Sequence, residues 1–151
     1  AIRRQRQMCI RDRAYTDYEL RFEKDEAAEL CTAVPSTGLI DVTNRSKNHM
    51  VGKTLPLSHE LFDFAETIFD VLESRQVTLS KKGEDKGVRL SFEGFPYLIV
   101  WSKPEGDFVA VEPWGGLSTC SDEDDVLEHK RGCLVAKPKE TVVRSFTIEI
   151  L

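Results

Sequence analysis

The chain has 151 residues, with 21 basic and 26 acidic side chains, a net charge of −5 and a 40% hydrophobic content. That is long enough to bury a core, and the acidic balance argues against nucleic acid or another polyanion as a partner. No apolar run approaches the ~18 residues of a membrane span, which argues against a membrane partner.

Residues 3–13, RRQRQMCIRDR, have no apolar periodicity and differ sharply in charge from the rest of the chain. They match one reading frame of a widely used transposon sequencing adapter. Such scars are set aside from fold reasoning, so residues 1–13 are expected to belong to no domain, to lack structure and to make no core contacts. Residues 14–151 are then the domain. Without residues 3–13 the basic count falls from 21 to 16 and the acidic count from 26 to 25, which moves the net charge from −5 to −9. Cys9 falls in the same segment, leaving Cys31, Cys120 and Cys133. Their spacing matches no metal site, so no metal and no cofactor is expected. Unpaired thiols point to a reducing compartment, the cytoplasm.

The remaining residues read as β-structure. Tyr18, Leu20 and Phe22 alternate with polar residues, the period of a half-buried strand. Leu39-Ile40-Asp41-Val42 follows a turn at Pro35-Ser36-Thr37-Gly38, and residues 59–64 form at most one helical turn. Residues 76–80 and 88–92 are two strands around a turn, with Val88, Leu90 and Phe92 on one face. Tyr97–Trp101 and the run from Phe108 to Val111 flank a Lys-Pro-Glu-Gly-Asp turn, the composition of a β-hairpin. Residues 132–136 and 141–151 are read as closing strands, the last with Phe146, Ile148 and Ile150 alternating. Short strands with polar turns predict an all-β sandwich or barrel.

Chemistry concentrates after the hairpin, where Glu112 is followed by Pro113, Trp114, Gly115 and Gly116. A carboxylate ending a buried strand beside an indole suits a sugar site. The indole offers a flat apolar face to a ring, and the acid handles hydroxyl protons.

Phe95-Pro96-Tyr97-Leu98 with Trp101, then Val111-Glu112-Pro113-Trp114 with Gly116 and the acidic run Ser121-Asp122-Glu123-Asp124-Asp125, resembles the aldose 1-epimerase (galactose mutarotase) family. The likeness is to its shorter bacterial branch. It extends upstream through LPLSHELF and AETIFDVLESRQVTL and downstream to KRGCLVAKPKETVVRSFTIEI, covering nearly everything from about Tyr15 onward. It implies the galactose mutarotase-like β-sandwich (supersandwich), of which residues 14–151 would be the C-terminal portion. It also implies cofactor-free interconversion of the α and β anomers of a free aldohexose. A base takes the anomeric hydroxyl proton, an acid protonates the ring oxygen, and the ring opens and recloses.

By the resemblance Glu112 is the catalytic base, against the plain alternative of a strand-end glutamate that pairs locally. Trp114, Trp101 and Glu66 are the candidate substrate-binding residues. An aromatic at a strand end is often core, and Trp101 lies among residues that read as buried. Glu66 stands where relatives carry an aspartate that binds sugar hydroxyls; Asp63 is its rival, and a solvated acidic loop competes for both. The family's acid histidines have no counterpart motif, since His49, His59 and His129 all read as surface residues. The acidic run after Ser121 lacks the pattern of a calcium loop and reads as a solvated turn. Two other functions stay open. A non-catalytic sugar-binding sandwich would not need Glu112. A hexose-phosphate relative would need arginines at the pocket, and Arg75, Arg89, Arg131 and Arg144 show no convergence along the chain. A truncated, inactive fragment with open strand edges and an apolar face is expected to self-associate.

Overall fold

The computed structural model describes residues 14–63 and 66–151, together with the backbone of Met8–Cys9. Eleven strands are formed: β1 (Met8–Cys9), β2 (Tyr18–Phe22), β3 (Leu30–Ala33), β4 (Ile40–Ser46), β5 (Thr54–Pro56), β6 (Thr67–Phe69), β7 (Gln76–Lys81), β8 (Gly87–Ser91), β9 (Tyr97–Trp101), β10 (Phe108–Trp114) and β11 (Thr147–Ile150). They build a six-stranded sheet in the order β1-β10-β9-β6-β3-β4 and a five-stranded sheet in the order β11-β8-β7-β2-β5. Strand neighbours pair antiparallel throughout. Three single 3₁₀ turns, at Tyr15–Asp17, His59–Phe62 and Leu127–His129, are the helical elements among the described residues. Among the described residues no helix is long and apolar enough to cross a membrane.

The core lies between the sheets. Cross-strand rows Leu55–Leu20–Leu79–Val88 and Phe22–Val77–Leu90 form the inner face of the five-stranded sheet. Facing them from the other sheet are Phe69, Leu98, Val100 and Val109, with Phe92 filling space just beyond β8. Each fully buried side chain of this size contributes about 1.5–3 kcal/mol, before the cost of ordering it. A second, smaller cluster sits on the outer face of the six-stranded sheet. There Cys31, Ile68 and Ile99 are covered by Ile40, Leu117 and Cys120. The six-stranded sheet is therefore apolar on both faces at its centre.

The β9–β10 hairpin forms where its composition predicts it. Ser102 is buried at its neck and donates its hydroxyl to the Phe108 carbonyl at 2.7 Å, while the Gly106 N–H closes the turn on the Lys103 carbonyl at 2.8 Å. The predicted helical turn is present as His59–Phe62; residues 64 and 65 lie outside the described residues.

Several expectations are corrected. Residues 132–136 form no strand: Gly132 has a φ of +71° and Cys133 N–H turns back to the Lys130 carbonyl at 2.9 Å. That segment crosses over the end of β10 instead of pairing with an edge. The closing strand is confined to Thr147–Ile150. Met8–Cys9 pairs its backbone with Val109 and Phe108 on the outer edge of β10, where no structure was expected. An open sheet edge accepts extended backbone of almost any sequence. The expectation that Met8 and Ile10 side chains avoid the core lies outside the described residues.

Candidate functional site

Strand alternation decides which side chains share a face. Glu112 stands opposite Ile99 and Ile99 opposite Ile68, while Trp114 stands opposite Tyr97 and Ala110 opposite Trp101. All of these belong to the outer face, since the intervening Leu98, Val100 and Val109 point into the core. Glu66 directly precedes β6, whose pairing with β9 begins at Thr67 opposite Val100. The register thus brings Glu112, Trp114 and Trp101 onto one surface, while Glu66 lies just outside the paired residues.

Glu112 is exposed and accepts a hydrogen bond from the Trp114 indole N–H at 3.1 Å. This contact orients the carboxylate along the sheet surface and leaves its other oxygen available. Trp101 is not core: it is 37% exposed and meets Phe108 edge-on, with ring centroids 5.6 Å apart. Asp63 is exposed at the end of the 3₁₀ turn.

The wall beyond Trp114 is built by close backbone approach. A Cβ on Gly132 would stand 2.8 Å from Gly116 Cα and 2.9 Å from the Tyr97 ring, so glycine alone fits this left-handed position. Leu117 N–H bonds to the Arg131 carbonyl at 3.2 Å across the same crossing. The acidic run anchors it: Arg131 grips Asp122 through two 2.7 Å hydrogen bonds, and Glu123 accepts the N–H groups of Cys120 and Arg131. Asp124 pairs with His129 at 2.7 Å. Among the described residues no group of three or more His, Cys, Asp or Glu is placed to hold a metal ion.

Sequence reasoning missed a second polar group on this face. Asp70 follows β6 and receives Arg45 bidentately at 2.9 and 2.6 Å, and Arg45 also donates to the Glu29 carbonyl at 2.7 Å. Burial alone would raise the Asp70 carboxyl, but hydrogen bonds from Arg45 and the Cys31 thiol, with the guanidinium charge, outweigh it and hold it below its ordinary range. Burial, and then the hydrogen bond to Asp70, pushes the Cys31 thiol up to about 12. Burial, and then the charge of Asp70, raises the Tyr97 phenol. Arg45 and Asp70 are 25 residues apart along the chain, so no local motif announces their pairing.

The ion pair has a pH signature. Asp70 has a depressed carboxyl, so its stabilisation is complete above the unfolded pKa of about 3.9 and is lost as pH falls through the folded value. The side chains are 11% exposed for Asp70 and 25% for Arg45, so solvent screens the pair only partly. Asp70→Asn is expected to cost about 1–3 kcal/mol at neutral pH and to flatten the loss of stability below about pH 4. Denaturant melts across pH 2–7 check this; an unchanged acid limb in the variant would show that Asp70 is not a source of it.

The three histidines differ in their settings. His49 and His129 are exposed, as expected, but His59 is not a plain surface residue. Its ring stacks on Tyr15 with centroids 4.7 Å apart, and its Nδ1 is buried. The arginines are also corrected. Arg75 and Arg89 are committed elsewhere, to the Leu72 and Ser74 carbonyls and to Glu149. Arg131 and Arg144, however, line one cavity of about 320 Å³ with Gly115 and Gly116.

No family model matches the chain. The plasmid and chromosomal LacX proteins of Lactococcus lactis subsp. lactis are each 38% identical over 138 residues, covering 91% of this chain and 46% of theirs. The chain thus spans about half the length of the curated relatives it matches. A galactose mutarotase related enzyme from Lactobacillus acidophilus superposes with a TM-score of 0.76 at 22% identity, over 95% of this chain and 48% of that one. A galactose mutarotase-like protein from Lactobacillus casei gives a TM-score of 0.57 at 30% identity, over 68% of this chain and 35% of that one. Two antiparallel sheets with this topology, and an acid–indole pair on the outer face of one, define a galactose mutarotase-like β-sandwich. In sequence and fold the chain is similar to galactose mutarotase-like proteins, over about half of their length or less.

Proposed function

We propose that the protein acts on free aldohexoses as an aldose 1-epimerase, with Glu112 taking the proton from the anomeric hydroxyl. The observation that carries this is the pairing of Glu112 with the Trp114 indole on a sheet face that also holds Trp101. On this reading the indole orients the base and offers a platform to the ring, and Glu66 is the candidate for distal hydroxyls. Trp114 and Trp101 supply apolar contact to the C–H faces of the ring. The unpaired thiols of Cys31, Cys120 and Cys133 support a reducing compartment such as the cytoplasm.

The ring-oxygen acid is the missing partner. Among the described residues no histidine is hydrogen-bonded to Glu112: His59 stacks on Tyr15 and His129 pairs with Asp124. Loss of one acid–base partner costs on the order of a hundred- to ten-thousand-fold. This chain alone is therefore expected to bind hexose without measurable mutarotation. Saturation-transfer NMR should show glucose or galactose contacts that Trp114→Ala removes, while polarimetry on fresh α-glucose and α-galactose should follow the buffer rate. Absence of sugar binding would sink the reading. An acceleration abolished by Glu112→Gln would show that another group on this face serves as the acid.

A further inference from the structure

The outer face of the β9–β10 hairpin continues past Glu112 on the side away from Trp114. Trp101 stands opposite Ala110, and Ile99 opposite Glu112, so Trp101 and Glu112 are diagonal neighbours on that face. Such neighbours lie ~7–8 Å apart, within reach of aromatic and long side chains. Beyond Trp101 comes Phe108, which meets the indole edge-on with ring centroids 5.6 Å apart. Two features of the hairpin end hold this aromatic pair. Ser102 donates its hydroxyl to the Phe108 carbonyl at 2.7 Å. A Cβ on Gly106 would stand 3.0 Å from the Phe108 ring, so the turn glycine lets that ring lie against it. The pair is fixed but not covered: Trp101 is 37% exposed and Phe108 half-buried. Between Phe108 and Glu112 the face carries only Ala110 on β10, a small side chain that leaves a shallow floor. An ordered aromatic pair left open to water, in line with an oriented carboxylate, is a platform for the C–H face of a sugar ring.

We propose that Trp101 and Phe108 form a second-ring subsite of the sugar site, so that the aldohexose unit at Glu112 is preferred as the reducing end of a disaccharide. The inference rests on the sugar reading above. A ring whose anomeric hydroxyl meets Glu112, and which lies over Ala110, brings its far side to the edge of Trp101. Phe108 is four residues from Glu112, ~14 Å along the strand, too far for that ring and in place for the next. The second ring then stacks on the aromatic pair, and the exposed Lys103 and Asp107 at the hairpin end are placed for its outer hydroxyls.

Isothermal titrations of the full chain with glucose, maltose, cellobiose and trehalose test this. At least one of maltose and cellobiose should bind about tenfold more tightly than glucose or better, a margin within reach of one aromatic stacking contact. Phe108→Ala should erase that margin by weakening the disaccharide, while Phe108→Tyr, which keeps the ring, should retain it. Saturation transfer from the aromatic protons should reach the non-reducing ring in the wild type and be lost from it in Phe108→Ala. Trehalose has no free anomeric hydroxyl and should show no margin. The wild-type comparison needs no variant, so the test survives a variant that fails to fold. Equal affinity for glucose and both reducing disaccharides would overturn the subsite and leave the sugar reading standing. A margin that survives Phe108→Ala, or that trehalose shares, would overturn the subsite in the same way. No binding of any of the four sugars would overturn both.

Discussion

Replacing Phe92 with alanine is expected to cost about 3–5 kcal/mol, the range for a fully buried phenylalanine. For a chain of this length that is a fall of about 10–15 °C in melting midpoint, and much of the stability a small domain has. Phe92 is completely buried and belongs to the main cluster between the sheets. Its backbone is fixed as well: its N–H donates to the Arg75 carbonyl at 2.9 Å and its carbonyl accepts from Phe95 at 3.1 Å. The ring therefore has no way to move aside, and the neighbours cannot close over the hole. Phe108→Ala is the control, because Phe108 lies on the outer face against Trp101 and is only partly buried. Its loss is expected to cost under about 1.5 kcal/mol, the worth of an aromatic pair with modest burial. Thermal and urea melts followed by circular dichroism measure both. Equal costs would show that the two faces of the six-stranded sheet have been assigned wrongly.

Which strands the sequence announces depends on how many of their faces are buried. β2, β7 and β8 present one face to the core and one to solvent, so Leu20 and Phe22, or Val77 and Leu79, alternate visibly with polar residues. β9 and β10 are marked by their turn. β3 and β6 escape notice because the six-stranded sheet is covered on both sides at its centre. Leu30 and Cys31 are both buried, as are Thr67, Ile68 and Phe69 in succession, and a strand buried on two faces shows no period of two. An apolar run also misled in the opposite direction: residues 132–136 look like a strand but are claimed by the crossing over Gly115 and Gly116, which needs the left-handed turn at Gly132.

The site divides the same way. Glu112 and Trp114 are adjacent in a local motif and their contact needs only one strand's alternation. That Trp101 joins them depends on the register between β9 and β10, which no local pattern contains. The Arg45–Asp70 pair and the convergence of Arg131 with Arg144 are further removed still. The first arises because β4 and β6 both flank β3, and the second because the tail passes over the end of β10. Charge positions along a chain carry no information on such meetings until the topology is known.

The inner face of the five-stranded sheet runs one strand too far for its cover, and that has a consequence in solution. Leu90 stands opposite Ile148 and Val88 opposite Ile150, so β11 continues the two apolar rows that begin at Phe22 and Leu55. Up to β8 those rows are buried or half-buried; at β11 Ile148 is 62% exposed and Ile150 86%. Leu134, Val135, Val142, Val143 and Phe146 are exposed in the segments leading to it. The Arg89–Glu149 pair at 2.9 Å fastens β11 to β8 from the other face, and the far edge of β11 pairs with no strand among the described residues. A flat apolar strand with a free edge recruits another chain. The chain is therefore expected to self-associate at tens of micromolar, seen as a mass in light scattering that rises with concentration. Ile148→Lys with Ile150→Lys should shift it toward the monomer, because charge on an edge strand opposes pairing. Both positions are exposed, so the melting midpoint at low concentration should change by no more than the equivalent of about 0.5 kcal/mol per site. A wild-type chain that stays monomeric through that range with a single cooperative melt would show that this face needs no partner. An association unaffected by the two lysines would place the contact elsewhere, with the outer edge of β10 the next to test.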